Sequence, residues 1–291
     1  MKLAGARVLI TGGAGGIGRA LARELLEAGA SVLLVGRSAT ALADAARTLG
    51  GDDTRVGTLV ADLTSATDRS RLIAYASTWN GGVDVLVNNA GVSLFGLYGD
   101  AAPESIEQTL AINLLAPMLL VRALLPTLAK QPQAAIVNVG SVFGAIGYPG
   151  NAAYSAAKFG LRGFSEALRR ELANSTVRVL HVAPRATRTA INSRAVEALN
   201  LELGVATDAP ETVAAWIRER VDLELADSTL GWPERLFVKL NALVPRLVDG
   251  ALRKQLPAIQ RYAVAGTRAD DHPAQPAVNM SGTPAPIGDS R

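Results

Sequence analysis

Short apolar runs alternate with helical periodicities over the first 185 residues. The runs Arg7–Thr11, Ser31–Gly36, Val56–Val60, Val83–Val87, Ala134–Val139 and Val177–Val182 are rich in Val, Ile and Leu. Such continuous aliphatic runs suit strands covered on both faces. Between them, amphipathic stretches predict helices near Ile17–Ala28, Ala39–Leu49, Ala66–Thr78, Pro103–Ala129 and Asn151–Asn174. Strict strand–helix alternation with right-handed crossovers predicts an α/β fold, a doubly wound parallel sheet of Rossmann type. Ligands in such sheets sit beyond the carboxyl ends of the strands, so the chemistry is sought in those loops.

The pattern changes after Pro184. Ala209–Leu225 reads as a helix, with Asp208, Ala209, Pro210 and Glu211 as its cap and first turn. The stretch Thr189–Asp208 carries Ile191, Val196, Leu199, Leu201 and Leu203, and predicts a lid over an apolar ligand. Trp232–Tyr262 reads as two amphipathic helices split at Pro245, with Leu236, Phe237, Leu240, Leu243 and Val244 on one face and Leu247, Val248, Ala251 and Leu252 on the other helix. The expected organisation is a Rossmann-type domain over residues 1–231, a basic amphipathic extension over 232–266, and a disordered Pro/Gly/Ser-rich tail over 267–291.

Composition narrows the chemistry. The chain has 291 residues, 49% of them hydrophobic and only 4% aromatic, enough for one large aliphatic core. It contains no cysteine, which excludes disulfides, thiolate metal sites and a cysteine nucleophile, and no metal is expected. His181 and His272 are the only histidines. His181 lies in the apolar run Val177–Ala183, where a buried structural role is favoured, and neither histidine stands beside a nucleophile motif. Residues 232–262 hold six basic and two acidic side chains, giving +4, so the net charge of +3 leaves the remainder at −1. That local basicity is not the broad positive face of a nucleic-acid binder. It suits packing over a pocket or a partner subunit, with peripheral contact to an anionic membrane through 232–262 as the alternative. Met1–Gly5 runs into a strand without a cleavage region, and no stretch of about 18 predominantly apolar residues is apparent, so a cytoplasmic location is expected.

Five motifs carry candidate chemistry. Thr11-Gly12-Gly13-Ala14-Gly15-Gly16-Ile17-Gly18 follows a strand and opens a helix, where bare backbone and a helix N-terminus suit a pyrophosphate. At the end of the second strand, Gly36 stands where an acid often binds a ribose 2′-hydroxyl, and Arg37 and Ser38 follow. A guanidinium there can pair with a 2′-phosphate, which favours NADP(H) over NAD. Asp62-Leu63 follows the third strand, and Asp62 reads either as an adenine contact or as a helix N-cap. Asn88-Asn89-Ala90-Gly91 follows the fourth strand and reads as a stitch lining the cofactor or as a plain turn. Finally, Ser141 precedes Tyr154, and Lys158 lies four residues beyond it on the same helical face. A free phenol titrates near 10, and bringing it to neutrality takes roughly 4 kcal/mol of differential stabilisation. A neighbouring ammonium, helped by an oxidised nicotinamide, supplies that kind of stabilisation, and Ser141 can hydrogen-bond a substrate oxygen.

Taken together, Thr11–Gly18, Asn88–Gly91, Asn113, Ser141, Tyr154 and Lys158 resemble the short-chain dehydrogenase/reductase family over about residues 5–190, in the branch with a Thr-Gly-x-x-x-Gly-Ile-Gly loop. The resemblance implies an NADP(H)-dependent oxidoreductase acting on a small-molecule carbonyl or alcohol. Tyr154 would be the acid/base, Ser141 would polarise the substrate oxygen, Lys158 would hold the nicotinamide ribose, and Asn113 would support a water relay. Gly12, Gly16 and Gly18 would hold the pyrophosphate, with Thr11 and Ile17 in the same loop. Arg37 and Ser38 would meet the 2′-phosphate, Asp62 and Leu63 the adenine, Asn89, Ala90 and Gly91 the length of the cofactor, and Pro184 and Thr189 the carboxamide side. The family implies a homodimer or homotetramer formed through the helices near 103–129 and 151–174.

One residue departs from the family pattern. Pro184 is followed by Arg185 where glycine is usual, so a strained loop or an anion-attracting arginine at the site mouth is expected. A non-catalytic NADP(H)-binding sensor or scaffold is the alternative reading, and an epimerase or dehydratase of sugar nucleotides ranks below both.

Overall fold

In a computed structural model, residues 1–50 and 54–267 are described. The tail expected over 267–291 therefore lies outside the described residues apart from Thr267, as does His272. The elements run β1 (Arg7–Thr11), α1 (Gly16–Glu27), β2 (Ser31–Gly36), α2 (Ala39–Thr48), β3 (Val56–Val60), α3 (Ala66–Thr78), β4 (Val85–Asn88), α4 (Pro103–Leu110), α5 (Ala116–Leu128), β5 (Ala134–Val139), α6 (Ala152–Glu171) and β6 (Val177–Ala183). They continue through α7 (Arg194–Glu202), α8 (Pro210–Asp222), β7 (Asp227–Thr229), α9 (Glu234–Leu243) and α10 (Pro245–Thr267).

The strands form one parallel sheet in the order β3-β2-β1-β4-β5-β6-β7, a Rossmann-like architecture with helices on both faces. Alternation along each strand divides the core into two layers. Val8, Ile10, Val32, Leu34, Val85 and Val87 face α1, α2 and α8. Leu9, Leu33, Val35, Leu86 and Ile136 face α3, α5 and α6. The strand order reverses between β1 and β4, so the loops leaving those two strands part and open a crevice at their carboxyl ends.

Several boundaries differ from the pattern reading. The fourth strand begins at Val85 rather than Val83, because the Asp84 carboxylate turns back to accept bonds from the Arg7 backbone N–H and guanidinium, each at 2.8 Å. The helix expected over Pro103–Ala129 is α4 and α5 joined by one π turn, Ala111–Leu115, which holds Asn113. That continuous segment, Pro103–Leu128, contains an 18-residue window with a mean hydropathy of 1.7, long and apolar enough to cross a membrane, contrary to the expectation that no such stretch exists. Here it lies on the sheet, with Leu120, Leu124 and Leu128 fully buried. The short edge strand β7 and helix α7 were not anticipated. The extension forms two helices broken at Pro245, as expected, and Val248 of α10 packs on Val142 and Ile146 beside the crevice.

Candidate active site

The glycine loop is built by close approach. Gly12 has φ +65°, and a Cβ there would stand 2.9 Å from the Ala90 Cα. A Cβ on Gly18 would meet the Gly12 carbonyl oxygen at 2.2 Å, so α1 can start this near the loop only with glycine at that position. The Thr11 hydroxyl accepts from the Asn89 and Ala90 backbone N–H groups at 3.0 Å each, and the Asn89 amide donates to the Thr11 carbonyl at 2.9 Å. These bonds stitch the loops after β1 and β4 across the switch point. The helices α2, α3 and α7 have serine caps, at Ser38, Ser65 and Ser193, whereas α1, like α6, has no side-chain cap and no acid in its first turn. Its free N–H groups suit an external anion.

Beside this loop, a cavity of about 370 Å³ opens between the ends of β4, β5 and β6. Ser141, Tyr154 and Lys158 all line it, together with Ile17, Pro184 and Thr189. Ser141 caps the single 3-10 turn after β5 and accepts from the Phe143 N–H at 3.1 Å. A Cβ on Gly144 would lie 2.8 Å from the Lys158 carbonyl oxygen, so that turn rests directly on the α6 backbone carrying Tyr154 and Lys158. Phe143 meets the Tyr154 ring edge-on at 6.5 Å and stacks on Tyr148 at 4.6 Å. Lys158 is buried, its ammonium donating to the Val139 carbonyl at 2.9 Å and lying 5.8 Å from the Tyr154 ring centre. One N–H is thus spent on the strand end, and the remaining donors stay available.

The electrostatics depart from expectation at Tyr154. Burial pushes its phenol above the ordinary tyrosine value, and the Ser141 hydroxyl works against that rise. Burial also pulls Lys158 down to about 8. Burial in the protein alone therefore disfavours the phenolate and keeps Tyr154 protonated.

The remaining candidates divide into those brought together and those turned elsewhere. Asn113 is buried, with its amide oxygen accepting from the Val92 N–H at 3.0 Å and its amide nitrogen donating to the Val92 carbonyl at 2.8 Å. Its side chain is thus committed to closing the loop after β4, and Gly91 lies against it. A second hollow of about 280 Å³ is lined by Arg37, Asp62, Thr64, Glu104, Glu107 and Gln108. Arg37 is exposed and is the only cation among its lining residues. Ser38 caps α2, accepting from the Ala41 N–H at 3.2 Å. Ser65, not Asp62, caps α3, and Asp62 instead holds Thr64 through two 2.8 Å bonds. The Leu63 side chain is buried in the core and lines neither cavity. Thr189 packs so closely on the glycine loop that a Cβ on Gly16 would meet its Cγ2 at 2.7 Å.

Arg185 corrects the expectation of a strained or anion-seeking residue. The non-glycine residues with positive φ among those described are Asn80 and Glu224, so the loop imposes no left-handed backbone on Arg185. Its guanidinium binds the Asp208 carboxylate at 2.8 and 2.9 Å and reaches Glu234 at 3.5 Å, which raises its pKa. Two carboxylates already match its charge, leaving little to attract an anion. It ties the loop after β6 to the start of α8 and the start of α9. His181 is buried on β6, its Nδ1 at 2.9 Å from Asp227 on β7, the structural setting favoured from sequence.

The far wall of the cavity is legible in the sequence only in part: packing of the extension over the pocket is favoured, with Val248 and Leu252 on its apolar face, but Phe95, Tyr148 and Gln255 are not singled out. Phe95, Tyr148, Val248, Leu252 and Gln255 close it, and the Tyr148 hydroxyl donates to Gln255 at 3.0 Å, joining the loop before α6 to α10. No local motif marks Phe95, Tyr148 or Gln255, because they meet only through the fold.

Comparisons with known proteins bear on this site. A family model described as short chain dehydrogenase matches residues 6–200. A Bos taurus protein named 3-oxoacyl-acyl-carrier-protein reductase is 38% identical over 247 residues, 84% of this chain and 96% of its own. A solved short chain dehydrogenase/reductase from Burkholderia phymatum in complex with NAD superposes with a TM-score of 0.76 at 23% identity, over 85% of this chain and 96% of that one. One from Burkholderia cenocepacia J2315 in complex with NADP gives 0.74 at 24% identity, over 87% and 99%. At these identities the two structures speak to the fold.

Proposed function

Given that the chain belongs to the short-chain dehydrogenase/reductase family, we propose that it is an NADP(H)-dependent oxidoreductase interconverting a carbonyl and an alcohol on an apolar small molecule. The observation that supports this is the convergence of Ser141, Tyr154 and Lys158 on one cavity beside an uncapped helix and a bare glycine loop. The residues fit a dinucleotide: the uncapped start of α1 and Gly91 border the cavity, and Arg37 lines the second hollow. When bound, the cofactor supplies or accepts a hydride at its nicotinamide ring.

The chain's own groups do the rest. Tyr154 gives its phenolic proton to the substrate oxygen in reduction and takes it back in oxidation. Ser141 donates to that oxygen and fixes its position between the two hydroxyls. Lys158 holds the ribose hydroxyls with the donors that Val139 leaves free. The Asn113 side chain is committed to Val92, so its part in returning the proton to solvent falls to its backbone in the π turn. Gly12, Gly16 and Gly18 bring backbone N–H groups to the pyrophosphate, Asp62 faces the adenine, and Arg37 pairs with the 2′-phosphate. The apolar wall of Phe95, Phe143, Ile146, Val248 and Leu252 excludes water and selects an uncharged apolar substrate. The enzyme works in the cytoplasm as a homodimer or homotetramer, in which Leu115, Met118 and Phe159, exposed on the α5 and α6 side, become covered.

Two measurements check the reading. Purified protein mixed with NADPH and a panel of ketones, ketoacyl thioesters and aldehydes is expected to oxidise NADPH with at least one of them. Tight NADPH binding without turnover on any would favour the sensor reading instead. The pH profile gives a second check. Lys158 is charged below about 8 and neutral above it, and kcat/KM reports groups on the free enzyme. The value of kcat/KM for NADPH is therefore expected to be level on the acid side of about 8 and to fall as pH rises through it. A profile flat through that region would remove Lys158 from cofactor binding.

A further inference from the structure

The extension packs its inner face and leaves an outer one bare. On α9, Glu234, Val238 and Asn241 turn inward: Glu234 meets Arg185, Val238 joins the Val142 cluster, and the Asn241 amide donates to the Ala145 carbonyl at 2.8 Å. Leu236, Lys239 and Leu243 follow one another at helical spacing on the opposite side, and Trp232 lies in the turn just before the helix. Trp232 is 71% exposed and Leu243 80%, and Leu247, beyond the break at Pro245, is 66% exposed. Arg235 and Arg246 are exposed in the same stretch, and Arg253 and Lys254 follow on α10. Among the described residues none of these five cations makes an ion pair; Glu234 is held by Arg185 and Glu202 by Arg261, and the exposed Asp249 is the one other acid of the stretch. An apolar stripe flanked by unpaired cations and bordered by an exposed tryptophan matches an anionic lipid surface, which supplies both an apolar layer and negative charge.

The position of the stripe adds to this. Ile191, Val205, Phe237 and Ala251 line the catalytic cavity and are also exposed, so they form an apolar rim beside α9. We propose that the outer face of α9 and the turn into α10, carrying Trp232, Leu236, Lys239, Leu243, Arg246 and Leu247, docks on an anionic membrane surface, with the cavity mouth turned towards the lipid. The docking surface stands apart from the reaction. The role of the mouth, admitting an apolar substrate from the bilayer, rests on the activity proposed above.

The test is vesicle flotation of the full chain, using phosphatidylcholine vesicles with and without phosphatidylserine, with light scattering of the free protein and NADPH affinity as controls for assembly and folding. The protein is expected to float only with the phosphatidylserine vesicles. Replacing both Lys239→Gln and Arg246→Gln removes two surface charges and is expected to weaken binding about thirty-fold. Leu243→Glu is expected to abolish it while NADPH affinity and oligomeric mass stay unchanged. Absence of flotation, flotation indifferent to phosphatidylserine, or flotation indifferent to these variants would overturn the proposal. So would a fall in oligomeric mass in Leu243→Glu when the parent binds no vesicles, which would assign the stripe to a second copy of the chain. Because the readout is binding, a protein that turns over no carbonyl yet floats as described would leave the surface standing and remove only the role of the mouth.

Discussion

Replacing Tyr154 with phenylalanine is expected to lower kcat by about a hundred- to ten-thousand-fold, the range a positioned acid/base contributes, while NADPH still binds. The substitution removes one oxygen and keeps the ring, so the edge contact with Phe143 and the seat on α6 persist. The oxygen it removes is the phenolic hydroxyl that lines the cavity together with Ser141 and Lys158. Burial raises the Tyr154 pKa in the protein alone, so the phenol is protonated and ready to donate in the reductive direction. The measurement is single-turnover NADPH oxidation beside a titration of NADPH binding. A variant that keeps most of its rate would transfer the acid/base role to another group.

Reversing the charge at Arg37 is expected to lower NADPH affinity by about 10- to 100-fold, since hydrogen bonds to charged groups contribute about 1.5–3 kcal/mol, and to leave NADH affinity unchanged. Arg37 is the sole cation lining its hollow, which also holds Asp62, Glu104 and Glu107. In Arg37→Glu every charged residue lining the hollow is acidic, and a 2′-phosphate meets repulsion in place of a cation. The measurement is the ratio of the two dissociation constants in parent and variant. A parent that binds NADH as tightly as NADPH would mean that the three acids, and not Arg37, set the preference.

The parts of this molecule readable from sequence were those in which one residue's type fixes its own surroundings. Aliphatic runs gave six of the strands because a buried parallel strand needs no partner information to look apolar. The glycine loop was legible because close backbone approach demands glycine at Gly12 and Gly18 wherever the rest of the chain goes. Tyr154 and Lys158 share a helix face by spacing alone, and α6 places them so. What stayed hidden depends on distant partners. β7 has three residues and is recognised by its pairing with β6 rather than by its own pattern. The π turn at Asn113 follows from packing of α4 and α5, which a helical periodicity does not register. Arg185 looked strained or anion-seeking because Asp208 and Glu234 lie 23 and 49 residues away along the chain. The contact of Tyr148 with Gln255 joins segments about a hundred residues apart, and only the fold brings them together.

The outer face of α9 shows the same limit in another form. Periodicity alone placed Leu236, Phe237, Leu240, Leu243 and Val244 on one apolar face, with packing favoured. The structure divides that set: Leu240 packs on the Val142 cluster, Phe237 borders the cavity, and Leu236 and Leu243 face outward.

The most direct test of the central claim is isotope transfer. NADPH deuterated at the transferable position of the nicotinamide would be mixed with the enzyme and whichever carbonyl the panel identifies, and the alcohol examined by mass spectrometry. One deuterium is expected on the carbinol carbon, and none in the Tyr154→Phe reaction beyond its residual rate. An alcohol formed without deuterium at that carbon, or a folded enzyme that binds NADPH and reduces no carbonyl in the panel, would contradict it.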